Sequence, residues 1–293
     1  MTGNLNIFCL GKKVIKNKTA LLIEGGGQRG VFSFGVIDAF IEAHYDPFDF
    51  FVGVSNGASV LFWYLIRDRL NNLEKMLFSA NKKYFNYTNL LSGRDILDFY
   101  GLFRDAYEYF HPDLNLLKIN LAGRSFFSVV TNAETGNAEY INYEEKKIID
   151  ILVATGTLPV LVRRPSIISG KRFFDGGISD PLPVKKAYEM GARKIVIVRT
   201  FPEGAVRTNK LENLIAAVFV RKYRMLSKMI INHSKTYNES LEYIKNPPLD
   251  LKIHQVQPDH KLMTKRNTLD HKTLKNDYDL GKAKGREFLK TLI

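Results

Sequence analysis

Apolar positions along this chain change period several times, and each change marks an element. Residues 19–24 (TALLIE) form a short apolar run that stops at Gly25-Gly26-Gly27-Gln28-Arg29-Gly30. Beyond it Val31, Phe34, Ile37, Ala39, Phe40 and Ile41 follow approximately helical spacing, so the pattern reads strand, glycine loop, helix. The same order recurs at once. Residues 48–54 read as a buried strand, Ser55-Asn56-Gly57 as a sharp turn, and residues 58–66 as a helix apolar on every side, hence buried all round. Residues 67–120, rich in Leu, Phe, Tyr and Asn, read as helical in pieces with a polar break at 86–89. Residues 124–131 and 138–142 read as two strands joined through Glu134-Thr135-Gly136-Asn137, a hairpin signal. A helix over 144–154, a Pro-bearing loop, a short strand at 172–174, a helix over 184–190 and a buried strand at 194–200 follow. Strands alternating with helices predict an α/β layer with a mainly parallel central sheet.

Past residue 201 the composition shifts. Leu214, Ile215, Val218, Phe219, Met225, Leu226, Met229 and Ile230 stand at i, i+3, i+4 spacing over 212–230, with Arg221, Lys222, Arg224 and Lys228 between them. A core-packing helix with a cationic outer face explains this spacing, and so does a helix lying at an anionic membrane face; the first is the preferred expectation. Asn246-Pro247-Pro248 marks a break, and residues 250–256 read as one more strand. The expected organisation is an N-terminal segment 1–18, an α/β domain 19–200 and a basic extension 201–293.

Composition narrows the class. With 45% hydrophobic and 25% charged residues over 293 positions, the chain is globular rather than disordered or fibrous. Its one cysteine, Cys9, excludes a disulfide framework and a multi-cysteine zinc site. No apolar run reaches the ~20 residues that cross a bilayer, and residues 1–20 lack the apolar stretch of a signal peptide. A cytoplasmic protein is the expectation. The net charge of +13 favours polyanions, either nucleic acid or an anionic membrane, and residues 201–293 hold 18 basic against 10 acidic residues. The nucleic-acid reading rests on charge alone.

Three short motifs carry candidate chemistry. Gly53-Val54-Ser55-Asn56-Gly57 is a G-x-S-x-G between a strand and a helix, where a serine projects its hydroxyl from a tight turn toward the positive end of the helix dipole. Gly25, Gly26 and Gly27 leave bare main-chain N–H groups able to face an oxyanion. The same loop fits the dinucleotide fingerprint G-x-G-x-x-G. Yet about 20 residues on, only Asp46 and Asp49 stand near, around a proline turn rather than at a strand end, and the Lys-Ser/Thr ending of a P-loop is absent. Asp175-Gly176-Gly177 puts a carboxylate straight after a short strand, where it serves as a base for a serine or simply caps the next element. A Ser-Asp-His hydrolase needs a histidine after the acid, which leaves His233, His254, His260 and His271, none in a glycine-flanked loop; His44 and His111 precede the acid. No i, i+4 histidine pair is present, and no metal or other cofactor is expected. The aromatic stretch 84–110 reads either as core or as the wall of an acyl-chain pocket.

Taken together, Gly25–Gly30, Gly53–Gly57 and Asp175–Gly177 resemble, in order and spacing, the signatures of the patatin-like phospholipase family. Ala154-Thr155-Gly156-Thr157-Leu158-Pro159 and Pro181-Leu182-Pro183 resemble its segments around the aspartate, and the likeness spans about 21–200. The resemblance implies a three-layer α/β/α fold and a Ser–Asp dyad that cleaves lipid acyl esters. By it Ser55 is the nucleophile and Asp175 the general base. Gly25, Gly26, Gly27 and Asn56 then form the oxyanion hole, and Arg29, Gly30, Gly53, Gly57, Gly176 and Gly177 support the motifs. A lipid or phospholipid is the implied substrate. Asn56 stands where a small residue is usual, which would narrow the pocket, and Asp180 where Asn is usual. A catalytically silent lipid-binding protein of the same fold is the alternative.

Overall fold

The computed structural model describes residues 17–67, 72–92, 94–206, 208 and 210–292. Cys9 and nearly all of the 1–18 segment lie outside the described residues. The first half of the chain contains β1 (Lys18–Ile23), α1 (Gly30–Glu42), β2 (Phe50–Val54), α2 (Asn56–Ile66), α3 (Asn72–Ser79), α4 (Asn89–Ser92), α5 (Phe99–Phe110), α6 (Leu114–Leu121), β3 (Ser125–Asn132) and β4 (Ala138–Asn142). The second half adds α7 (Ile148–Gly156), β5 (Ser166–Ile168), β6 (Lys171–Asp175), α8 (Val184–Glu189), β7 (Ala192–Val198), α9 (Lys210–Phe219), α10 (Arg224–Lys245), β8 (Lys252–Val256) and α11 (His271–Lys290).

Strands β3-β2-β1-β7-β8 run parallel in that order, and β4, β5 and β6 extend the sheet by antiparallel pairing. A parallel strand is covered on both faces, which is why these runs are apolar without interruption. On β1, Leu21 and Ile23 pack with α1, α2 and α11, while Ala20 and Leu22 pack with α8 and α10 on the opposite face. The result is the three-layer α/β/α arrangement the motifs implied. Helix α2, apolar all round, is buried from Gly57 to Ile66.

Two parts of the chain differ from the expectation. The apolar spacing over 212–230 does not form one core-packing helix. It breaks between α9 and α10, where Val220 is buried and Tyr223 sits edge-on to Phe174 with ring centroids 5.9 Å apart. Leu214, Ile215, Val218, Phe219 and Met225 are exposed. The second difference is α11, a 20-residue helix with no strong apolar signal. Its buried positions are Leu274, Asp277, Tyr278, Gly281, Gly285 and Phe288, so half of the six are glycine or aspartate. A Cβ on Gly281 would stand 2.0 Å from the Phe32 carbonyl oxygen, and only glycine permits α11 to lie this close on α1.

Candidate active site

The register of β3 brings the two candidate side chains together. β4 occupies one edge of β3 from Phe127 to Thr131. A strand has only two edges, so β2 and β6 share the other. β2 is parallel to β3 and ends with Val54 opposite Val129; β6 is antiparallel and ends with Asp175 opposite Val130. Two carboxyl-terminal strand ends therefore meet head to head at neighbouring positions of β3. The residue after Val54 is Ser55.

Ser55 turns the chain from β2 into α2 at φ 54°, a backbone conformation uncommon outside glycine. Its amide donates to Thr155 Oγ1 at 2.9 Å, and that hydroxyl in turn donates to the Val129 carbonyl. The Ser55 hydroxyl donates to Asp175 Oδ2 at 2.6 Å. The other carboxylate oxygen, Oδ1, accepts the Gly177 amide at 2.7 Å. Main-chain bonds fix the aspartate itself: its N–H donates to Thr157 O at 2.9 Å, and its carbonyl accepts from Thr131 Oγ1 at 2.7 Å. Asp175 is buried. The hydroxyl thus meets the carboxylate directly, with no imidazole between them. Such a pair can pass a proton in one step.

Gly25, Gly26 and Gly27 line the same cavity as this pair. A Cβ on Gly25 would stand 2.9 Å from Ser55 Cβ. Gly27 has φ +56°, and its missing side chain leaves room for the Arg266 carbonyl, which accepts the Gln28 amide at 3.1 Å. Asn56 lines the cavity as well. Its side-chain amide donates to the Gly27 carbonyl at 2.8 Å, in space that Gly30 leaves open, and so ties the G-x-S-x-G turn to the glycine loop. Gly53, Gly57 and Gly176 back the site, packed on Ala58, the Ile23 carbonyl and the Val129 carbonyl respectively. Arg29 is not on the cavity wall; its guanidinium lies 4.1 Å from the centre of the Phe201 ring.

Sequence reasoning missed Thr155 as a support for Ser55, and it missed Glu24. The Glu24 carboxylate is buried directly before the glycine loop. It accepts from the Thr200 amide at 2.7 Å and from the Tyr237 hydroxyl of α10 at 2.8 Å. An acidic residue at the end of an apolar strand was the available signal. Asp180 is bonded by the Tyr140 hydroxyl, and burial pushes its carboxyl up to about 6 despite that bond.

Ser55 and Asp175 open onto a cavity of about 540 Å³. Phe99, Leu102 and Phe103 of α5 line it with Phe62, Trp63 and Leu152, so part of the aromatic stretch 84–110 does wall a pocket. Its volume falls within the range of small-molecule sites, and much of its lining is apolar. Of the histidines, His233 lines the cavity, His254 stacks edge-on to Phe288, and His44, His111, His260 and His271 are exposed. Among the described residues there is no group of three or more His, Cys, Asp or Glu side chains placed to hold a metal ion. No helix among them is long and apolar enough to cross a membrane.

Comparison with known proteins bears on this geometry. The Escherichia coli K12 protein YjjU, itself uncharacterized, is 27% identical over 282 residues, which is 94% of this chain and 78% of that protein. The crystal structure of VipD from Legionella pneumophila superposes on 94% of this chain and 67% of its own, at 14% identity and a TM-score of 0.45. Residues 223–293 match a domain family of unknown function, DUF6363. Residues 21–188, more than half of the chain and all three motifs, match the patatin-like phospholipase family, and the chain belongs to that family.

Proposed function

We propose that this chain is a phospholipase A or lysophospholipase type enzyme working through a Ser55–Asp175 dyad and an acyl-enzyme, a reading that its family membership supports as far as lipid acyl hydrolysis in general. The observation that carries the reading is the 2.6 Å hydrogen bond between the two side chains at an apolar cavity. Asp175 takes the hydroxyl proton as Ser55 Oγ attacks the ester carbonyl. Main-chain N–H groups of Gly25, Gly26, Gly27 and Asn56 face the oxyanion, each such donor contributing about 3–4 kcal/mol where measured. As the carbonyl re-forms, the bond to the leaving alkoxide breaks and Asp175 returns the proton to it. Water then gives a proton to Asp175 and its hydroxide attacks the acyl-enzyme; as the bond to Ser55 Oγ breaks and the fatty acid leaves, Asp175 returns that proton to Oγ. In this reading residues 19–200 are the catalytic domain, the extension 201–293 braces it, and the substrate lies in an anionic membrane at its cytoplasmic face.

A fluorophosphonate should label Ser55, and Ser55→Ala should abolish both labelling and hydrolysis of p-nitrophenyl esters of graded chain length. Asp175→Asn should keep binding and lose turnover. Hydrolysis that persists in Ser55→Ala discards the dyad; no release by wild type at any chain length favours a silent lipid-binding protein of the same fold.

A further inference from the structure

Helix α9 carries its apolar stripe on the side that faces solvent. Leu211, Leu214 and Val218 are 70%, 54% and 57% exposed, and Ile215 and Phe219 extend the same stripe. These positions recur at i, i+3, i+4, i+7 and i+8, one face of a helix. The opposite face is the one that packs. Ala217 is buried, the Asn213 amide donates to Ser234 Oγ on α10 at 3.1 Å, and Ala217 O accepts from Ser227 Oγ at 3.3 Å. An amphipathic helix held to a protein normally turns the other way.

Two further observations say what would cover the stripe. Asn213, Ile215 and Ala216 line the cavity that holds Ser55, so the stripe borders its mouth. Directly after it, Arg221, Lys222, Arg224 and Lys228 are exposed, and none of these four makes an ion pair among the described residues. Met225, also exposed, stands among them. An apolar stripe edged by cations of one sign matches the acyl and headgroup layers of an anionic bilayer. A second copy of this chain fits poorly, since a two-fold contact would set like charges against each other.

We propose that the exposed face of α9, with the basic turn leading into α10, is a docking surface for an anionic lipid bilayer that sets the cavity mouth against the substrate layer. This rests on the lipid hydrolase reading and names where its substrate is met. The apolar side chains enter the interface, and each cation beside it strengthens binding by about five-fold.

The test uses the full chain. Sedimentation with vesicles of phosphatidylcholine, with or without phosphatidylglycerol, measures docking independently of turnover. Wild type should sediment with the phosphatidylglycerol vesicles, and added salt should weaken that binding. The pair Leu214→Glu and Val218→Glu lies off the cavity lining. It should bind those vesicles about ten-fold or more weakly, and cleave vesicle lipid correspondingly slowly, with dissolved p-nitrophenyl butyrate turned over as in wild type. Arg221→Glu with Lys222→Glu should abolish the preference for phosphatidylglycerol. Unchanged vesicle binding in the Leu214/Val218 pair overturns the proposal. So does a wild-type dimer in sedimentation velocity that the same pair dissociates, which would give the face to a second copy. Vesicle binding by wild type without hydrolysis of any ester strikes the hydrolase reading and leaves the docking surface standing.

Discussion

The side-chain amide of Asn56 donates to the main-chain carbonyl of Gly27, so a residue beside the candidate nucleophile holds the loop that faces it. Under the proposed mechanism this bond keeps the glycine-loop amides aimed at the oxyanion. Asn56→Ala should lower kcat about five-fold with KM nearly unchanged, the worth of one hydrogen bond of about 1 kcal/mol. Asn56→Asp should be worse, because a carboxylate would face the Gly27 carbonyl and a developing negative charge. Steady-state kinetics on a dissolved ester check both, and an Asn56→Asp enzyme as fast as wild type would refute the role.

Thr155 links Ser55 to β3 through one hydroxyl that accepts the Ser55 amide and donates to Val129. Thr155→Val keeps the shape and removes the acceptor, leaving the Ser55 amide without it inside the protein. A loss of about 1–3 kcal/mol is expected in urea denaturation, together with slower fluorophosphonate labelling. Thr155→Ser should retain most of both. Equal stability of the Val and Ser variants would show that the bond contributes nothing.

The Tyr237 hydroxyl reaches from α10, within the segment that matches a family of unknown function, to the Glu24 carboxylate at the base of the glycine loop. Tyr237→Phe deletes this donor from a buried carboxyl oxygen and should cost about 1–3 kcal/mol of stability. Thermal and urea denaturation measure it. Stability equal to wild type would mean that the C-terminal segment braces the loop by packing alone.

Asp180 predicts a pH signature. Its folded-state value of about 6 lies above the ordinary 3.8 because burial disfavours the charge. Between those values the folded protein binds more protons than the unfolded chain, so wild type loses stability as pH rises through this window. Asp180→Asn carries no charge to bury. Its stability relative to wild type should be greater by about 1–3 kcal/mol at pH 8 than at pH 4, with the change confined to about pH 4–6. Denaturation curves at a series of pH values test this, and a difference independent of pH would contradict it.

Much of the fold was legible because its signals are local. The apolar runs of β1, β2 and β7, the turn at Ser55 and the buried α2 each declare themselves within a dozen residues. Helix α11 did not, since glycines at Gly281 and Gly285 replace the apolar residues by which such a helix is recognised. The stripe on α9 was legible as a pattern but not as a direction. Periodicity shows which residues share a face and is silent on whether that face meets core or solvent.

The order of the chain alone therefore determines the strand-loop-helix units and the residue types at their ends: glycines after β1, serine after β2, aspartate at the end of β6. What brings Ser55 within 2.6 Å of Asp175 is decided elsewhere, in the pairing of β3. There one parallel and one antiparallel strand stop at adjacent rungs of the same edge. Strand register depends on hydrogen bonds between segments far apart in the chain, residues 50–54 against 125–129 and 173–175 against 130–132, and no local run of residues encodes it.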